Sequence, residues 1–181
     1  FTRTAWSLER NGSVVELALD RGKVSALPAD DGAAPLSSPL CELELELLQG
    51  DSPDALFELA IELAADLHLH PEILSKAERG FALAEGTVAA PVKAFSSGVD
   101  RMMSPLEAFR VIALSCVLQL QRNEVGAIAG KNPEYVHQAR VAIRRLRSAL
   151  KLFAPVLNER FIEVYSQYWQ ALASNLGSAR D

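Results

Sequence analysis

The chain has 181 residues, 49% hydrophobic and 23% charged, enough to bury a core in one ordinary domain or two small ones and too apolar for a disordered chain. It has no apolar run of about 18 residues, which excludes a transmembrane helix. The net charge of −5 is split: residues 1–90 hold 6 Lys/Arg against 16 Asp/Glu, and residues 91–181 hold 12 against 7. An acidic half followed by a basic half suits a protein that handles two ligands, or one anion in two ways.

The first half reads as strands. Thr2–Glu9 and Ser13–Leu19 flank Asn11-Gly12, a two-residue hairpin signal. Asp20-Arg21-Gly22 reads as a further turn, Lys23–Leu27 as a short return strand and Pro28–Pro39 as a loop. Cys41–Leu47 (CELELEL) alternates without a break, with Glu42, Glu44 and Glu46 on one face and three leucines on the other. Glu16 and Asp20 form a second acidic row. A solvated carboxylate face is the plain reading, but like charges about 7 Å apart repel, and a hard divalent cation would cancel that repulsion.

Ser52 as N-cap and Pro53 at the first helical position open a helix that buries Leu56, Leu59, Ala60, Leu63 and Leu67. Ser75–Leu83 (SKAERGFAL) reads as a turn entering a last strand, and residues 86–100 as a linker. Arg3, opposite in face to Trp6, is a candidate for a polar interior or a surface arginine.

The second half reads as three helices in an antiparallel bundle. The first opens at Ser104-Pro105 with Leu106, Phe109, Ala113, Val117 and Leu120 as its apolar stripe. The second runs from Pro133 to Phe153, and the third starts near Pro155. On the second, His137, Arg140, Arg144, Arg147 and Lys151 fall within an arc of roughly 80°. Ala139, Ile143, Leu146, Leu150 and Phe153 make the apolar stripe, and Arg145 lies off the basic line, as a solvated side chain. A row of unopposed cations costs helix stability, which a polyanion lying along it would offset; a solvated basic face is the plain alternative. Nucleic acid is disfavoured by the acidic first half and by the lack of an aromatic stacking platform on the stripe.

VELALDRG (Val15–Gly22), CELELELLQGD (Cys41–Asp51) and SKAERGF (Ser75–Phe81) resemble, in order, the second half of a CYTH domain, the barrel of the triphosphate tunnel metalloenzymes. VHQARVAIRRLRSALKLF (Val136–Phe153) and LGSARD (Leu176–Asp181) resemble the first half of a CHAD domain, a helical module that binds polyphosphate. The resemblance implies an α+β architecture. Residues 1–85 would be an incomplete antiparallel barrel with a helix, residues 86–100 a linker, and residues 101–181 half of a helical bundle.

The same resemblance implies catalytic and metal-binding roles for Glu42 and Glu44, with Glu16 and Asp20 as further metal ligands for Mg²⁺ or Mn²⁺ and Glu46 as a weaker candidate. It implies phosphate contacts for Arg3, Lys76 and Arg79, and polyphosphate contacts for His137, Arg140, Arg144, Arg147, Lys151 and Arg180. The implied activity is hydrolysis of inorganic triphosphate or short polyphosphate. A non-catalytic polyphosphate-binding or granule-targeting module is the alternative. The family's Glu-x-Glu-x-Lys strand is missing, since Leu48 stands where CELELELL would need a lysine. The expectation is therefore a piece of a longer protein, inactive alone. Cys41 and Cys116 read as reduced core thiols, and with no leader pattern at Phe1 the expected location is cytoplasmic, with polyphosphate granules as a further site. No protein partner is indicated.

Overall fold

The computed structural model describes residues 1–26, 35–86 and 90–178. Its first unit, Phe1–Val88, opens with β1 (Thr2–Arg10), β2 (Ser13–Ala26) and β3 (Leu36–Gln49), an antiparallel sheet in the order β1-β2-β3. Asn11 and Gly12 both take positive φ, 50° and 78°, as the tight hairpin between β1 and β2 requires. Among the described residues the sheet is open, not a closed barrel.

β2 runs through Asp20-Arg21-Gly22, where a turn was expected, and absorbs the return strand. The glycine serves a close approach instead: its φ is 152°, and a Cβ there would lie 2.7 Å from the Phe1 Cα. β3 begins at Leu36, inside the expected loop; residues 27–34 of that loop lie outside the described residues. Cys41 is exposed rather than a core thiol, whereas Cys116 is buried.

The apolar face of the sheet is covered by α1 (Asp54–Asp66). Val15, Ala55 and Leu59 form the core there, with Leu8, Leu45, Leu47, Leu56 and Leu63 packed around them. The helix starts one residue later than the Ser52-Pro53 reading, with Pro53 as N-cap, and Leu67 is exposed. Lys76–Glu85 is a helix, α2, where a strand was expected. Ser75 and Glu78 form a reciprocal capping box: Ser75 Oγ accepts from the Glu78 amide at 3.2 Å, and Glu78 Oε2 accepts from the Ser75 amide at 2.8 Å.

The second unit, Ala89–Asp181, holds α3 (Pro105–Ala129), α4 (Pro133–Leu152), a short 3₁₀ turn (Ala154–Val156) and α5 (Glu159–Ser178). α3 packs along α4, and α4 along α5. Gly126 of α3 lies against the Tyr135 ring of α4; a Cβ at Gly126 would fall 2.3 Å from that ring, so only glycine lets the helices approach here. Phe109, Ala149 and Leu150 form a buried cluster with Trp169 of α5 against it, and the Phe109 and Phe161 rings meet edge-on at 6.2 Å.

α3 meets its expected apolar stripe in part: Phe109 is buried and Ala113 packs against the same cluster. Its buried positions are Ala108, Phe109, Ser115, Cys116, Gln119 and Asn123, while Leu106 is exposed. α3 is apolar on most of its circumference, so burial is decided by polar partners. Gln119 Nε2 donates to Gln138 Oε1 at 3.1 Å, and Arg145 Nη1 donates to Gln119 Oε1 at 2.7 Å. Arg145 is thus half-buried and bonded, not solvated. Asn123 clasps the backbone of Val92, accepting from its N–H at 3.0 Å and donating to its carbonyl at 2.9 Å. No helix among the described residues is long and apolar enough to cross a membrane.

Candidate functional site

Strand register assembles the acidic face. Arg3 pairs across with Asp20, and Asp20 with Glu42; Ala5 pairs with Ala18, and Ala18 with Glu44; Ser7 pairs with Glu16, and Glu16 with Glu46. Directly opposed residues share a face, so three rows of side chains stand opposite the α1 side of the sheet. The methyl groups of Ala5 and Ala18 leave room in the middle row, over which Arg3 reaches Glu44.

Asp20, Glu42 and Glu44 converge, each offering a carboxylate oxygen within 4.8 Å of the others. Asp20 is fully buried, Glu42 is largely buried and Glu44 is half-exposed. Glu16 and Glu46 face each other one step along the ladder, outside this group. With Arg3 and Glu44 they line a groove of about 410 Å³.

Cations close the cluster. Arg3 grips Asp20 with two prongs, Nε to Oδ1 at 2.8 Å and Nη2 to Oδ2 at 2.7 Å, and also bonds Glu44. Lys76, the first residue of α2, sends its ammonium to all three acids: 2.8 Å from Asp20 Oδ2 and in direct contact with Glu42 and Glu44. Arg79, one turn later, bonds Glu42 and lies 3.6 Å from Glu72. The helical course of α2 brings both cations to one side, as i and i+3.

These contacts move the ionisations. The hydrogen bond from Arg3, then that from Lys76, holds Asp20 well below the usual carboxylate range despite its burial. Burial pushes Glu42 upward, but hydrogen bonds from Lys76 and Arg79 outweigh it and keep its pKa lowered. For Lys76, burial favours the neutral amine, yet the bonds to Asp20, Glu42 and Glu44 together raise its pKa. Asp20 and Glu42 are thus held as anions, and the three acids are matched by three of the chain's own cations.

The basic stripe stands apart from any such pairing. His137 and Arg144 are exposed, as is Lys151, and Arg140 and Arg147 are half-buried; among the described residues none of the five makes a side-chain hydrogen bond or ion pair. Ala139, Ile143, Leu146 and Leu150 on the other side of α4 are buried. Arg180 lies outside the described residues. Sequence reasoning missed Glu72 beside Arg79, and it missed Gln119 and Asn123; the first has no periodic signal, and the others are lone amides in an apolar helix.

Residues 111–181 match the family model of the CHAD domain. Over 83 residues the chain is 34% identical to an inorganic triphosphatase of Haemophilus influenzae. That match takes in 46% of this chain and 21% of the relative, so the chain spans about a fifth of that relative's length. The triphosphatase likeness over the N-terminal portion and the CHAD-domain match after it together support a CYTH–CHAD arrangement.

Proposed function

We propose that the sheet unit is part of a metal-dependent barrel that hydrolyses inorganic triphosphate or short polyphosphate, and that the helical unit binds polyphosphate. The convergence of Asp20, Glu42 and Glu44 within 4.8 Å carries the first half of this reading. Three hard oxygen donors at that spacing fit Mg²⁺ or Mn²⁺. Such an ion, when bound, supplies neutralisation of phosphate charge and activation of water. Asp20, Glu42 and Glu44 would hold it, Glu16 would line the adjoining groove, and Arg3, Lys76 and Arg79 would orient the anion by charge-assisted hydrogen bonds. Further strands, paired on the open edges of β1 and β3, would close the barrel.

On α4, His137, Arg140, Arg144, Arg147 and Lys151 offer a row without partners among the described residues, which supports its role as a polyphosphate track, and Arg180 would be a further polyphosphate contact. In this reading residues 1–85 and 101–181 are the two functional parts, joined by residues 86–100, the helices belong to an antiparallel bundle, and the protein works in the cytoplasm or at polyphosphate granules. The test is orthophosphate release from triphosphate with Mg²⁺ by the full-length protein. Release above a no-protein blank, lost in Glu42→Gln, is expected; its absence overturns the enzyme reading. One observation favours a binding-only module instead: Asp20, Glu42 and Glu44 are already matched by cations, while the five stripe cations of α4 have no partner among the described residues. That module would retain polyphosphate and release no phosphate.

A further inference from the structure

We propose that Lys76 is a built-in occupant of the cation site, which a divalent metal must displace in order to bind. The inference rests on reading Asp20, Glu42 and Glu44 as metal ligands. Its own observation is the position of one atom. Lys76 Nζ lies 2.8 Å from Asp20 Oδ2 and contacts Glu42 Oε1 and Glu44 Oε1, so the ammonium sits among the three carboxylates that would hold a metal. Neither arginine does this: Arg3 touches Asp20 and Glu44 from the β1 side, and Arg79 touches only Glu42 of the three.

An ammonium carries three donors and no acceptor, which matches three carboxylate oxygens one for one. It also offers a metal nothing to bind. The seat is therefore filled by one cation or the other. Lys76 is held in place by its backbone, because it is the first residue of a helix fixed by the Ser75–Glu78 capping box. Its side chain has somewhere to go: it is one-fifth exposed, and the Phe1 ring lies 5.2 Å from Nζ as a cation–π neighbour.

The experiment is Mn²⁺ binding, read by titration calorimetry on this chain and on Lys76→Gln, Arg79→Gln and Glu42→Gln. If the ammonium occupies the seat in about nine molecules of ten, its removal tightens Mn²⁺ binding about tenfold. Arg79→Gln removes the same charge without emptying the seat and should gain about threefold at most. Glu42→Gln should lose binding. Equal gains in Lys76→Gln and Arg79→Gln, or no gain in either, overturn the proposal while leaving the metal site standing. No Mn²⁺ binding by any variant overturns both the proposal and the metal reading beneath it. A second measurement is independent of any substitution that disturbs folding. In the ¹⁵N-labelled wild-type chain, one lysine ¹⁵Nζ resonance should be slowed in exchange without metal and lose that protection on adding Mg²⁺. A resonance that Mg²⁺ leaves protected overturns displacement.

Discussion

Arg3 and Asp20 stand directly opposite each other on neighbouring strands, and their side chains close a two-pronged ion pair at 2.8 and 2.7 Å. The carboxylate in this pair is fully buried, so its charge depends on the partners that strand register and α2 supply. Most of the expected behaviour of the sheet unit follows from this dependence.

The first expectation is a dependence of stability on pH. Asp20 and Glu42 have lowered pKa values in the folded chain, so the unfolded chain takes up protons at pH values where the folded chain does not. Their contribution is fully present above the unfolded carboxylate value of about 3.9–4.3 and is lost as pH falls towards the folded values. Urea unfolding between pH 6 and pH 2 should show stability falling with acidification, with a shallower fall in Asp20→Asn. An unchanged slope would sink the assignment.

A second prediction separates the acids. Glu42→Gln should weaken Mn²⁺ binding by about tenfold or more, because it removes one of three converging ligands. Glu16→Gln, one step along the ladder and outside the convergent group, should change the affinity by less than about threefold. Titration calorimetry distinguishes the two, and equal losses would widen the ligand set to include Glu16.

Charge reversal on α4 gives a third. Arg140→Glu combined with Arg144→Glu should reduce retention on immobilised polyphosphate by about a hundredfold and lower the salt slope by about two. These side chains have no internal partners among the described residues, so far-UV circular dichroism should be unchanged. Retention unaffected by the double substitution would remove the stripe from the binding surface.

The fourth concerns the helical unit alone. Asn123→Ala opens the clasp on Val92 and leaves its partly buried backbone groups without that partner, at a cost of about 1–2 kcal/mol in urea unfolding. Gly126→Ala places a methyl group against the Tyr135 ring and should cost about 1–3 kcal/mol. Polyphosphate retention at a temperature where the variants remain folded should be unchanged by either, since neither residue lies on the basic stripe.

The acidic face was legible because a two-residue period leaves no choice of side: once Leu45 and Leu47 were core, Glu42, Glu44 and Glu46 had to share the other surface. The stripe on α4 was legible for the same kind of reason at helical period. α2 was misread although its sequence carries the capping-box pattern, Ser75 followed three residues later by Glu78. The turn-and-strand reading of Ser75–Leu83 passed over that cap, which fixes the first turn of a helix. The Gly22 reading failed because glycine marks both turns and close approaches, and only the path of Phe1 distinguishes them. Arg145 lies 26 residues from its partner Gln119, a separation at which local pattern carries no information.

The three-against-three balance of carboxylates and cations on the sheet has a kinetic consequence. A neutral cluster exerts little pull beyond about 8 Å in physiological salt, so a polyanion diffusing nearby is not guided to it. Long-range guidance falls to the uncompensated row on α4, whose field extends into solvent. Encounter rates with polyphosphate should therefore be steeply sensitive to ionic strength through the helices, whereas events at the sheet are governed by local exchange of one cation for another.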